Sequence, residues 1–564
     1  MSFKAMGTVP TTVIVSLAPD LSGNFVCDGV ADDVEIQAAC DYVNALGGGE
    51  VILLQGQFET TVQVDISANT LFRGIGFGSI LNYTTIVGIV NWCLNVTGNS
   101  VQIRDLKITV PNGVGTANTR PSLIGAANVS DLYIDEVWLV QDPTAADDGR
   151  DWTQDCLDLD TCTRPRIRGC IFQNSQNKNV YADLCVDIYY AFNYNSNSED
   201  GEQFQNGTRG IIEGNISHCE TDCRDSVYMT VSNCWSEYFN FRTNVNCIFT
   251  GLQVDATGEG IYLDTSSYCI ISNCTCTGVN DEGITVSQSS YCTISGNTIT
   301  LADDAGIFIN NCTNGMNISN NICGFNEEHG IWVWNSVANE GWGHVIVGNI
   351  CEGNGTAGGN QWDGINIDGY AHEFTITNNQ CNDNDNYGIY LVDANSTDNV
   401  VKNNILTGNA TGAIQDVATD TAFHEIIIPV PNPSAYIGTH AAQQMLDGVD
   451  TTVGFGIGIP LQFQEVVTAN IILVAAAAGN IRRAAATNWG KMSSTEAYNA
   501  GSDSIAAGQI AMLADDMSAL DISAALTGIA AGDWIGLQYT REGSNVNDTI
   551  GDTVFCLGIR VRYV

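Results

Sequence analysis

Gly260-Ile261-Tyr262-Leu263, Gly283-Ile284-Thr285-Val286, Gly306-Ile307-Phe308-Ile309, Gly330-Ile331-Trp332-Val333, Gly364-Ile365-Asn366-Ile367 and Gly388-Ile389-Tyr390-Leu391 are six copies of one pattern. Their glycines are 23, 23, 24, 34 and 24 residues apart. The single long interval predicts one coil with an inserted loop. Within each copy the apolar residues alternate, and a period of two marks a strand with one face inward. A second strand follows in every repeat, as in Cys292-Thr293-Ile294-Ser295-Gly296-Asn297-Thr298-Ile299. Its fourth place is Asn297, Asn321, Asn349, Asn379 and Asn404, with Cys274 as the exception. Its sixth place is Cys276, Ile299, Cys323, Cys351, Cys381 and Leu406.

Short strands in repeats of roughly 23 residues cannot bury their inner faces alone, and stacking coil on coil solves this by forming a solenoid. Asn at the bend tolerates left-handed backbone angles, and stacked Asn side chains can bond along the axis. A small Cys at the inward place fits a narrow lumen. Looser copies extend the frame upstream: Ile103 to Ile108, Ile134 to Leu139 and Ile167 to Phe172, at intervals of 31 and 33. The β-solenoid is therefore expected over residues 25–420, after an N-terminal segment 1–24.

The start of the solenoid is also legible. Asp28-Gly29-Val30-Ala31-Asp32-Asp33 leads into a helical pattern in which Ile36, Ala39, Cys40, Val43 and Leu46 share one face. Asp32 or Asp33 is a suitable N-cap, and Gly47-Gly48-Gly49 ends the helix. A helix here would cover the open end of the stack, where strand edges are otherwise unpaired. The run from Asp28 to Leu54, DGVADDVEIQAACDYVNALGGGEVILL, closely resembles the opening segment of the pectate-lyase-like right-handed parallel β-helix family. That family includes polysaccharide lyases, hydrolases, epimerases and phage tailspikes. The resemblance covers about 400 residues. It implies the fold strongly and the chemistry weakly.

After Thr421 the Asn/Gly rhythm stops. Strand-like runs appear at Glu425–Val430, Gly454–Phe463, Asn470–Ala476, Trp534–Tyr539 and Val554–Val564. Short strands at this spacing predict a β-sandwich over 421–564. It resembles the jelly-roll-like C-terminal domains of trimeric viral fibres, which implies a trimerisation cap. A carbohydrate-binding module is the alternative. The fold class expected is all-β: a right-handed parallel β-helix with an N-terminal capping helix and a C-terminal sandwich.

Composition narrows the partners. Twenty Lys+Arg stand against 63 Asp+Glu, a formal charge of −43. Phosphate backbones would be repelled, so nucleic acid is not a partner, and anionic membrane surfaces are disfavoured. No segment is long and apolar enough to span a bilayer, and the run Thr12–Leu17 is too short for a secretory signal. The 20 Cys lack zinc-type spacing and recur at fixed places in the repeat, which reads as buried small apolar residues rather than a disulfide framework.

If Ile261 and Leu263 point inward, the residues between and beyond them point out. One outward column is Tyr262, Thr285, Phe308, Trp332, Asn366 and Tyr390, and Trp334 and Asp368 stand two places further along. Exposed aromatics beside carboxylates and amides suit sugar rings. Burial under a loop or a neighbouring subunit is the competing reading. Carboxylates precede the glycines at Glu259, Glu282, Asp304, Glu328 and Asp363, and stacking would bring them to about 5 Å from one another. Such pairs make an acid and a base from two carboxyls, or form a hydrated rim, or bind Ca²⁺. Asp158 and Asp160 alternate on one strand, about 7 Å apart, within the range of inverting glycosidases. Between Arg242 and Lys402 there is no Lys or Arg. Lyases of the resembling family need a basic side chain, so lyase chemistry is disfavoured there unless Arg164, Arg166, Arg168, Arg209 or Arg224 serves.

These features lead to an expected function: a tailspike- or fibre-like protein, outside a cell or on a virion surface, that binds polysaccharide with or without cleaving it, hydrolysis being favoured over lyase chemistry if it cleaves. The candidate catalytic residues are Glu259, Glu282, Asp158, Asp160 and Asp363. The candidate substrate-binding residues are Tyr262, Phe308, Trp332, Trp334, Asp368 and Tyr390. No cofactor is required, although Ca²⁺ could bind. The expected partners are a cell-surface glycan and, as a homotrimer, further copies of the chain. The rivals are a secreted polysaccharide lyase or hydrolase, and an adhesive surface protein without catalysis.

Overall fold

The computed structural model describes residues 11–563 apart from 85–91, 111–120, 142–154, 255–259, 337–340, 419–420, 492–496 and positions 176, 199, 360, 438 and 462. The chain winds as a right-handed parallel β-helix whose strands stack into three walls. The first wall runs from Val64–Ile66 to Gly412–Asp416 and contains every glycine-led strand of the repeat. The second includes Thr293–Ser295, and the third includes Thr298–Thr300. Each residue meets its equivalent one coil on: Ile261 pairs with Ile284, Ile284 with Ile307, Ile307 with Ile331 and Ile331 with Ile365. The looser upstream copies obey the same register, Ile103 with Ile134 and Ile134 with Ile167.

The inward residues fill the lumen. Ile261, Leu263, Ile284, Val286, Ile307, Ile309, Cys276, Cys323, Cys351 and Cys381 are completely buried. All twenty cysteines are buried, and none is in a disulfide. The long coil between Gly330 and Gly364 divides its extra residues between two turns. Ile331 pairs with Ile365, 34 residues on, whereas Asn317 pairs with Val345, 28 residues on.

The Asn places form a buried ladder. Asn297, Asn321, Asn349, Asn379 and Asn404 are linked from each Nδ2 to the next Oδ1 at 2.9, 2.9, 3.0 and 3.1 Å. The left-handed backbone falls one residue earlier than expected, at Gly296, Asn320, Gly348, Asn378 and Asn403. The bend sits on that preceding residue, and it turns the following Asn side chain inward. A second ladder, Asn326, Asn354, Asn384 and Asn409, supports the next turn at 2.9 Å per step.

The N-terminal helix spans Asp33–Ala45 and buries Ile36, Ala39, Cys40 and Val43. Leu46 lies beyond its last turn and is exposed. Asp32 does not cap through its side chain. Its carboxylate instead accepts the backbone N–H groups of Gly29 and Glu59, each at 2.8 Å. Thr11–Leu17 is a strand of the second wall, in register with Gly49–Leu53, so the sheet begins upstream of residue 25.

From His424 the strands are antiparallel. His424–Pro429, Val466–Ala475 and Val554–Tyr563 anchor one sheet, and Asp450–Gly458, Asp533–Glu542, Gly479–Lys491 and Gly501–Met512 form the other. The two share one core, including Phe455, Ile471, Leu537 and Ile559. This sandwich closes the last coil. Gln464 accepts the Leu406 N–H at 2.7 Å, and Glu465 accepts that of Ala413 at 3.0 Å.

Candidate functional site

Strand pairing converts positions far apart in the chain into columns on the first wall. The column of outward residues reads Asp158, Tyr181, Gln203, Asp222, Asn240, Tyr262, Thr285, Phe308, Trp332, Asn366 and Tyr390. Beside it stand Asp160, Asp183, Gln205, Arg224, Arg242, Asp264, Ser287, Asn310, Trp334 and Asp368. Coils repeat every ~4.8 Å, so the wall is a continuous strip with an acidic half and an aromatic half.

The acidic half holds three carboxyl clusters. At the first, Asp158 accepts the indole N–H of Trp92 at 2.8 Å. Trp92 lies two coils away and reaches it across Gly125, where a Cβ would fall 1.9 Å from the ring. Burial, opposed by the Trp92 hydrogen bond and aided by the charge of Asp160, lifts the Asp158 carboxyl to about 6. Asp160 itself accepts the Thr161 hydroxyl at 2.7 Å.

At the second cluster, Glu220, Asp222 and Arg224 alternate on the strand Ile216–Arg224 and face outward. Asp222 is 2% exposed, and burial, with the Glu220 charge against the Arg224 charge, places its carboxyl at about 7. Arg224 is ion-paired to it. Asn240 donates to Glu220 at 2.8 Å and accepts from Arg242 at 2.8 Å. Arg224 and Arg242 are register partners.

At the third cluster, carboxylate oxygens of Asp281, Glu282 and Asp304 lie within 4.8 Å of one another. Burial, then Asp281, raises Glu282 to about 8, and Asp304 is raised by burial and by the same neighbour. Glu282 helps line a hollow of about 290 Å³ with Tyr238, Arg242, Tyr262, Asp264, Asp281 and Thr285.

The carboxylates expected before each glycine do not make one column. The places before Gly306 and Gly330 belong to Ala305 and His329, so register stacks Glu282, Ala305, His329 and Asp363. Asp304 and Glu328 lie one residue earlier. Asp363 is fully buried, accepting the Tyr387 N–H at 2.9 Å and the Asn366 amide at 2.7 Å. It holds neighbouring coils together and does not face the groove. Glu259 lies outside the described residues, as do Asp147, Asp148, Asp151 and Trp152.

The aromatic residues stand where the alternation puts them. Phe308 and Trp332 stack at 4.4 Å, and Tyr262 lies 5.9 Å from the Arg242 guanidinium. Trp334 is 37% exposed, and Asp368 is its partner in register. Thr285 separates Tyr262 from Phe308, and the buried Asn366 separates Trp332 from Tyr390, so the stripe is three patches. Glu220, Asp222, Asn240 and Arg242 escape the sequence reading. Their coils lack the Gly-Ile marker, and only the alternation in Glu220-Thr221-Asp222-Cys223-Arg224 signals them.

A family profile for NosD, described as a periplasmic copper-binding protein, matches residues 230–366, less than half of the chain. The chain matches no curated protein. Among solved structures it is similar to the A-module of the mannuronan C-5 epimerase AlgE6 of Azotobacter vinelandii, at 14% identity and a TM-score of 0.33 over 71% of this chain and 97% of that one. It is similar to a tailspike protein of E. coli bacteriophage HK620, in complex with a hexasaccharide, at 11% identity and a TM-score of 0.38 over 96% and 92%. A third is the catalytic unit of an α-1,3-glucanase from Streptomyces thermodiastaticus, at 12% identity and a TM-score of 0.29 over 74% and 69%. The chain is a parallel β-helix protein. Copper favours thiolate and imidazole ligands. Among the described residues of 230–366 the group of three whose ligand atoms lie within 4.8 Å of one another is Asp281, Glu282 and Asp304, an all-oxygen set for a hard cation. They do not fit copper.

Proposed function

We propose that the first wall binds a polysaccharide along its length and hydrolyses it at Glu220 and Asp222. One observation carries this reading: two outward carboxyls alternate on one strand, about 7 Å apart, midway along a strip that continues into the half-buried Tyr262, Phe308 and Trp332 and the exposed Trp334. That spacing suits an inverting pair, with room for a water between base and sugar. Asp222, raised to about 7 by burial against the pull of its Arg224 partner, is protonated in part near neutral pH and serves as general acid. Glu220, oriented by the Asn240 amide, serves as base. Arg224 pairs with Asp222, Arg242 holds the Asn240 amide that orients Glu220, and both would meet substrate hydroxyls. Tyr262, Phe308, Trp332 and Trp334 offer faces to sugar rings. In this role the chain works outside a cell or on a virion, as a homotrimer acting on cell-surface glycan.

A second reading rests on the adjacency of Arg224 and Arg242. With a divalent cation such as Ca²⁺ on Asp281, Glu282 and Asp304, a uronate would be neutralised; an arginine in its neutral form would take the α-proton as the C4–O bond to the leaving sugar breaks, water protonating the departing oxygen, which is elimination rather than hydrolysis. The cation would supply charge neutralisation of the carboxylate. One assay separates the two. Purified protein is incubated with capsular and cell-wall polysaccharides, and both reducing ends and unsaturated products are measured. Hydrolysis yields reducing ends without ultraviolet absorbance. Asp222→Asn and Glu220→Gln should each lower the rate by about 10²–10⁴-fold. Absence of product above blank from the wild type would leave a binding protein without catalysis.

A further inference from the structure

The cations of this acidic chain are not scattered. On the second wall, away from the carboxyl clusters, outward residues pair in the order Gln102, Tyr133, Arg166 and Tyr189, and beside them Arg104, Asp135 and Arg168. They line a hollow of about 290 Å³. Three guanidiniums therefore face one carboxylate there, in a molecule with 20 cations to 63 acids. Asp135 is already held by Arg168 in a two-pronged bond at 3.1 and 3.0 Å. Arg104 turns toward Asp105 at 3.1 Å. Arg166 is exposed, has no ion pair among the described residues, and lies 5.8 Å from the ring of Tyr189.

We propose that this hollow binds an anionic sugar, one carrying a carboxylate or a sulfate. A guanidinium presents a rigid fork of donors that matches either group bidentately. Tyr133 and Tyr189 flank Arg166 in the same column, one coil above and one below, at ~4.8 Å per step. Two phenol faces with a cation between them fit a ring that bears a charge, where a bare anion would need no aromatic. The net charge of the whole chain does not forbid this, because beyond about 8 Å at physiological salt its field is screened and the nearest charges decide. The site is separate from the first wall and does not depend on hydrolysis there. It gives the protein a second hold on an acidic glycan while the first wall works on the chain.

The test is affinity electrophoresis of the full chain in gels cast with polygalacturonate, dextran sulfate or plain dextran. Mobility should fall with one or both polyanions, and the preferred one identifies carboxylate or sulfate. The double variant Arg104→Ala/Arg166→Ala should lose at least tenfold in affinity for that polyanion. Its circular dichroism should match the wild type, since both side chains are exposed. Arg166→Lys should fall in between, because charge is kept and the fork is lost. Asp222→Asn should leave the retardation unchanged. A wild type that runs alike in all three gels would overturn the proposal. So would a double variant retarded like the wild type, or retardation abolished by Asp222→Asn.

Discussion

Asp222 shows how a residue acquires chemistry from its neighbours. An exposed aspartate would titrate near 3.9, but this one is almost fully covered, beside Glu220 and paired to Arg224. If it is the acid, the rate should fall as pH rises through about 7, and a pH–rate profile of the cleavage assay checks this. Gly125 is critical for a different reason: only the missing Cβ lets Trp92 lie across it to Asp158. In the sandwich, Arg541 is completely buried and bonds Asp548 at 2.8 and 3.0 Å and the carbonyls of Met445, Ile550 and Asp552 at 2.8, 2.6 and 2.8 Å. Arg541→Ala leaves a buried carboxylate unpaired and should cost about 3–5 kcal/mol, whereas Arg541→Met/Asp548→Leu should cost less. Urea unfolding of the two variants tests the difference.

At the scale of elements, the Asn ladders do what a strand cannot do at its bend. Each interior Asn of a ladder meets the backbone of the coil before and the side chain of the coil after. Asn349 donates to the Ile318 carbonyl and to Asn379, and accepts from the backbone and side chain of Asn321. Asn349→Ala strands several buried groups at once, and should destabilise the solenoid by about 3 kcal/mol or more. Denaturation midpoints measured beside an outward control, Thr298→Ala, should show the loss for the ladder variant alone. The Asn repeat is visible in the sequence because a fixed place recurs. The sandwich strands Gly479–Lys491 and Gly501–Met512 are not, because Ala, Gly, Asn and Arg make up most of the first and Ala, Gly and Ser most of the second. Their pairing partners, not their own propensity, make them strands.

At the scale of the molecule, the solenoid is a tube whose ends must be closed and whose interior tolerates few charges. The helix Asp33–Ala45 covers one end and the sandwich covers the other. Inside the tube Glu202 is completely buried, accepting the Tyr190 hydroxyl at 2.8 Å and the Thr221 hydroxyl at 3.2 Å. Burial raises it to about 7, and raises Asp155, also buried, to about 8. A carboxyl whose folded value is raised stabilises the fold fully below its unfolded value, and that contribution is lost as pH climbs through the folded one. Thermal stability should therefore decline between about pH 4 and about pH 8, by a few kcal/mol. Glu202→Gln should flatten the decline, as followed by calorimetry. Added salt should raise stability as well, since screening relieves the repulsion of a −43 chain.

The solenoid, its inward residues, its capping helix and its aromatic column can all be read from the residues in order, because each is a local pattern or one repeated at a fixed period. Period two sets the face, and the interval sets the coil. Which carboxyls meet is settled only once the chain has wound up. Asp363 lies buried, Asp281 joins Glu282 and Asp304, and Glu220 comes within reach of Asn240 and Arg242 from another coil. A carboxyl's neighbours depend on winding and on turn length, and neither is written in the residues beside it.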